Sequence, residues 1–233
     1  MPPRKMDAPF FLNRYERRLR LMAQRARQKG VPIMFCLLPA NVRDVAPRGS
    51  PRWDTDTFIE AWRLFEAHRY TSAIKKFKTH LVRYPDDVFG YYFLAQCYDS
   101  LRAYTKARFF YRRGIYLSCA RGNVYLPVEW RRQVGRRLCA EYGVPLADLE
   151  RSFQRVAAEG IIGVSVLCDE CHWWGEYNSL VEDTLVDAII AYNRQQPAHA
   201  ILAPASEWDY SKWHPEQFDY SANDIFFKRG FGP

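Results

Sequence analysis

A chain of 233 residues, 48% apolar and carrying fifteen tyrosines, fifteen phenylalanines and seven tryptophans, is long enough to bury a core and too aromatic for disorder. Its net charge of +8 rests largely on arginine, in Arg14–Arg27 and at Arg131, Arg132, Arg136 and Arg137, where helical spacing predicts solvated outer faces. An acidic partner stays open, while nucleic acid is disfavoured because no recognition motif accompanies that charge; no apolar run nears the ~18 residues of a membrane span, and Met1-Pro-Pro-Arg-Lys-Met lacks a signal peptide's apolar centre, so membrane and export roles are read out.

Six cysteines scattered at 36, 97, 119, 139, 168 and 171 read as reduced thiols of a cytoplasmic protein, not as a disulfide framework. In chain order, Leu12, Tyr15, Leu19, Met22 and Ala26 are spaced as one helical stripe, which predicts an amphipathic helix over 10–29 stopped by Gly30. Val31-Pro-Ile-Met-Phe-Cys-Leu-Leu38 then reads as a buried parallel strand. Its C-terminal end opens into Pro39-Ala40-Asn41-Val42-Arg43-Asp44, the end at which open α/β sheets bind ligands.

The same order of helix, Gly-Val-Pro and short strand returns later. A helix from about Val128 to Tyr142, with Trp130, Val134 and Leu138 inward, leads into Gly143-Val-Pro-Leu-Ala-Asp-Leu149. Its recurrence predicts two parallel strands in one sheet. Between these halves, Phe58–Arg83 aligns with Tyr92–Leu117 at an offset of 34, pairing Ala61 with Ala95, Tyr70 with Tyr104, Ala73 with Ala107 and Phe77 with Tyr111. That period, with small residues at helix crossings, is the tetratricopeptide pattern. Two units fall short of the roughly three that stack stably alone, so the pair must lean on its flanks. A last amphipathic helix is predicted over Asn178–Asn193, and an aperiodic aromatic arm follows from 196 to 233. The division is therefore a first α/β segment (1–50), a helical insert (54–120), a second α/β segment (121–195) and the arm. The insert and the arm are the surfaces expected to meet a protein or peptide partner.

The densest chemistry lies in Cys168-Asp169-Glu170-Cys171-His172, just after the apolar run Ile161–Leu167. Cys-x-x-Cys-His spells a c-type haem attachment, but that needs an oxidising compartment, and no export signal is present. A zinc site on Cys168, Cys171 and His172 needs a fourth ligand and strains at adjacent ligands. A redox pair is poorly served by Asp169 and Glu170, which raise thiol pKa values. A plain polar loop remains open. An Asp-x-x-His pair, with a carboxylate holding the tautomer of a general base, fits the spacing best and requires neither metal nor cofactor.

Read together, Asn13–Asp44, Gly143–Asp148 and Gly160–His172, in that order around a helical repeat pair, resemble the C-terminal portion of SGNH (GDSL-type) hydrolases, and more narrowly members with a tetratricopeptide insert. The likeness covers about residues 10–195. It implies an α/β fold, a partial three-layer α/β/α flavodoxin-like parallel sheet with an all-α helical-hairpin insert. It also implies action on an ester or acetyl group, with His172 as base, Asp169 as its orienter and Asn41 as a side-chain oxyanion donor. Arg43 and Asp44, on the Asn41 loop, are the weaker substrate-contact candidates, in competition with a loop salt bridge.

One departure weighs against the likeness. The family's nucleophile is a serine in a Gly-Asp-Ser block upstream of the asparagine, whereas no serine precedes Asn41 and none of the ten serines sits in that context. A strand such as 31–38 also predicts a naked sheet edge that earlier strands would cover. A cut reading frame, a partner chain carrying those strands, or a fold that has abandoned catalysis would each account for both. Two functions follow: a hydrolase or acyltransferase half, or a non-catalytic interaction module.

Overall fold

A computed structural model describes residues 8–47, 50–120 and 129–196. The aromatic arm from Pro197 onward lies outside the described residues, as does the side chain of Trp130. Among the described residues the chain is a mixed α/β arrangement dominated by helix, with one two-stranded parallel sheet. No described helix is long and apolar enough to cross a membrane.

Helix α1 spans Ala8–Lys29 and α6 spans Glu129–Tyr142, and both end in the same cap. Gly30 and Gly143 take φ values of 64° and 63°, and the following valine N–H reaches back five residues, Val31 to Ala26 and Val144 to Cys139, at 2.9 Å each. Only glycine adopts that left-handed turn at low cost, which is why Gly-Val-Pro stops a helix twice. The strands then pair in parallel, β1 (Phe35–Cys36) with β2 (Leu146–Ala147), in the register Phe35 to Leu146 and Cys36 to Ala147.

The pairing is as expected, but the strand predicted over 31–38 is far shorter. Leu37 N–H still donates to Ala147 O at 2.9 Å, and Leu37 O already accepts from Glu150 N, where helix α7 (Leu149–Val156) begins. Partner backbone, not apolar content, sets strand length. Cys36 and Leu38 stay exposed.

The α1 face is likewise rotated from the predicted stripe. Ala23 is buried while Met22 is 54% exposed. The reason is polar: α1 meets α6 through Arg20 with Glu141, Arg137 with Glu16 at 2.7 Å, and the Arg131 guanidinium over the Tyr15 ring. The expectation that the α6 arginines lie on a solvated face fails most plainly at Arg132. That side chain is 4% exposed and pairs at 2.6 Å with Glu150, itself buried at the start of α7.

Residues 56–120 form four helices, α2 (Asp56–Glu66), α3 (Tyr70–Arg83), α4 (Val88–Ser100) and α5 (Tyr104–Ala120). Their core holds Phe58, Phe77, Leu94 and Tyr111, with Ala61, Ala95 and Ala107 buried among them. The 34-residue offset reaches the backbone: His68 after α2 and Arg102 after α4 take φ values of 55° and 57°, unusual for residues with a Cβ. The hairpins are also joined by a polar relay the sequence did not announce. Thr57 Oγ1 lies 3.0 Å from His80 Nδ1, and His80 Nε2 lies 2.8 Å from Asp87 Oδ2, with His80 and Asp87 both buried. Asp87 also caps α4 by accepting from Phe89 N–H.

Asp87→Ala removes a helix cap and leaves the buried His80 ring without its acceptor, so a loss of roughly 2–4 kcal/mol is expected in urea unfolding. A loss below about 0.5 kcal/mol would mean the relay is incidental to stability.

Candidate active site

Two adjoining residues divide the interior. Ile161 packs into the core of the helical insert, whereas Ile162 belongs to a second core with Leu149, Phe153, Val166 and Leu167. The segment leading to Asp169 is thus held from both sides, although it forms buried turns and no regular strand. Leu167 and Trp173 bridge antiparallel, and Cys168 N–H donates to His172 O at 2.8 Å, closing residues 168–172 into a tight turn.

Within that turn Asp169 performs two tasks. Its Oδ1 accepts the N–H groups of Cys171 and His172, both at 2.8 Å, and its Oδ2 sits 2.7 Å from His172 Nδ1. Burial pushes the Asp169 carboxyl pKa up, but these donors outweigh it and hold it below the usual aspartate value. The ring is thereby oriented from one nitrogen, and His172 keeps 75% of its side chain in solvent.

Asn41 reaches this turn from the C-terminal side of β1. Its N–H donates to Glu170 O at 2.9 Å, and its Oδ1 accepts from Asp44 N–H at 2.9 Å. Nδ2 is buried and makes no hydrogen bond, an expensive condition for an amide donor. The residue as a whole is fully buried. The loop backbone and the Asp169–His172 turn are therefore neighbours, but the Asn41 side chain is closed while the imidazole is open.

Arg43 and Asp44 are both held in contacts within the chain. Arg43 Nε and Nη2 grip Asp99 of α4 at 2.8 Å each, Nη1 takes Glu159 at 2.9 Å, and its carbonyl accepts from Tyr92 Oη. Asp44 Oδ2 accepts from Val164 N–H at 2.7 Å, and a Cβ at Gly163 would stand 2.3 Å from that oxygen. Arg43 is thus taken up by Asp99 and Glu159 from outside the loop, while Asp44 stays exposed with one carboxylate oxygen on the Val164 N–H.

Asp169, Cys171 and His172 offer donor atoms within 4.8 Å of one another. Cys168 Sγ is directed instead to His172 O, and Nδ1 already faces Asp169, so a metal on that nitrogen would displace the carboxylate contact. Burial, then Asp169 and Glu170, push the Cys171 thiol up, which disfavours the thiolate a nucleophile or ligand needs. Of the serines near this turn in sequence, Ser165 and Ser179 are exposed, the carbonyl of Ser165 accepting from Tyr177, and Ser152 is buried and bonded to Thr184 and Arg155.

No family profile, curated protein or solved structure matches this chain.

Asp169→Asn should raise hydrogen exchange at the Cys171 and His172 amides. In the wild type that protection is present above the ordinary aspartate range and persists into it. It is lost as the pH falls through the lowered Asp169 value, because only the charged form binds both amides strongly. Protection unchanged by the substitution would show that the turn holds itself without the carboxylate.

Proposed function

We propose that the chain carries the base side of an SGNH-like acyl-transfer site acting on an ester or acetyl group. His172 accepts the nucleophile's proton and returns it to the leaving group, Asp169 orients the ring, and Asn41 Nδ2 donates to the oxyanion. The observation that carries the reading is the Asn41 N–H to Glu170 O bond. It ties the predicted oxyanion loop to the turn that holds the predicted base, although the two are over a hundred residues apart in sequence.

The buried, unbonded Nδ2 gives the reading a further support, since a donor without an acceptor is what an oxyanion contact requires. The nucleophile is then contributed by a segment or partner bearing additional strands. These add to the open edge of β1 and complete a three-layer sheet around the tetratricopeptide-like insert.

The full burial of Asn41 favours a second reading, in which the site is closed and the helical insert serves as a non-catalytic protein-interaction module. Hydrolysis of p-nitrophenyl acetate by the chain assembled with the segment or partner that bears the nucleophile separates the two. The acyl-transfer reading expects His172→Ala to lower the rate by about 10²-fold or more and Asn41→Ala to lower it as well. Equal rates for wild type and His172→Ala remove it in favour of the interaction module.

A further inference from the structure

The Asp169–His172 turn gathers three kinds of donor, of which acyl transfer would use only two. Asp169 Oδ2 lies 2.7 Å from His172 Nδ1, and that nitrogen lies 3.9 Å from Cys171 Sγ. One donor atom from each residue falls within 4.8 Å of the other two. Bonds of about 2.0–2.3 Å to a tetrahedral ion set its donors about 3.3–3.8 Å apart, so shifts of about 1 Å or less close the trio on one ion.

The carboxylate is held for this from behind. Asp169 Oδ1 accepts the Cys171 and His172 N–H groups at 2.8 Å each, which leaves Oδ2 directed at the ring and fixes the backbone from which both neighbouring side chains start. Ligating carboxylates are themselves oriented by hydrogen bonds in this way. The Cys168 N–H to His172 O bond closes the turn, so all three donors come from a segment whose backbone is already set. His172 and Asp169 keep 75% and 52% of their side chains in solvent, so water reaches the remaining coordination position.

We propose that Asp169 Oδ2, Cys171 Sγ and His172 Nδ1 bind one divalent cation of the zinc class, with water completing a tetrahedral shell. An imidazole, a thiolate and a single carboxylate oxygen suit a borderline-soft ion, whereas magnesium and calcium take oxygen ligands. The ion enters where the Oδ2–Nδ1 contact stands. The carboxylate stays as a ligand, Nδ1 gives its lone pair to the ion, and the Cys171 proton passes to solvent. The charges of Asp169 and Glu170, which keep that thiol protonated, favour a dication in the proton's place. On the acyl-transfer reading the ion is also a brake: with Nδ1 ligated, the ring proton sits on Nε2 and the imidazole no longer serves as a base.

Titration of the full chain with cobalt(II) under a phosphine reductant, followed by absorbance, tests this, because a thiolate ligand gives a near-ultraviolet charge-transfer band. A saturable band at one equivalent per chain is expected, bleached by added zinc. Cys171→Ser should abolish the band, and Asp169→Asn and His172→Ala should each weaken cobalt binding by about tenfold or more at unchanged circular dichroism. Cys168→Ser should titrate as wild type does, because that thiol is turned to His172 O. Cys171→Ser leaves the Asp169–His172 pair in place, so hydrolysis by the assembled chain should survive it and the two readings fail separately. Absence of a band at about millimolar cobalt, a band that survives Cys171→Ser, or wild-type affinity in His172→Ala would overturn the proposal.

Discussion

The four residues Asn41–Asp44 are the point through which the described parts of the chain hold one another. Arg43 alone bridges to α4 through Asp99 and to the turn after α7 through Glu159, while Val42 N–H donates to Ile162 O and Asp44 accepts from Val164. Asp99 is only 10% exposed and also accepts from Tyr111 Oη, so the fork is partly shielded from water. A bidentate pair in such a setting contributes more than an open surface bridge, and it loses more when one partner is removed. Two helical hairpins too few to stand alone are thus fastened to the α/β portion by a loop that also borders the candidate site.

A basic chain with this many internal ion pairs spends much of its charge on itself. Arg20, Arg43, Arg132, Arg136 and Arg137 each face a carboxylate from a different helix or loop, and Arg132 does so under almost complete burial. The positive surplus that remains is uneven. Around Glu150, Arg112 of α5 shares a single buried carboxylate with Arg132 and Arg136 of α6. Net charge read from composition says nothing of this distribution, because a buried pair and a solvated pair add identically to the total.

The Asp169–His172 turn shows how little chain is needed to set an imidazole. One carboxylate satisfies two backbone donors with one oxygen and the ring with the other, so the geometry is local to four residues. Placing that turn is not local. Leu167 and Trp173 anchor it at either end, and the second core under Phe153 gives it a floor. The neighbouring Asn41 amide is held by its Oδ1 contact to Asp44 with Nδ2 left unspent.

Features governed by short-range periodicity and backbone sterics were readable from the sequence. The two Gly-Val-Pro helix stops, the four helices over 56–120 and the three-residue spacing that lets Asp169 reach His172 all depend on residues a few places apart, and the parallel pairing was readable only because the same local pattern occurs twice. Strand length, the rotation of α1 toward Ala23, the burial of Arg132 and the Thr57–His80–Asp87 relay were not readable, because each depends on a partner from a distant part of the chain. The same division runs through the candidate site. Side-chain types and spacing marked Asn41, Asp169 and His172, but only the folded packing decided that the asparagine lies enclosed beside an imidazole left open to solvent, since burial is a property of neighbours and not of the residue itself.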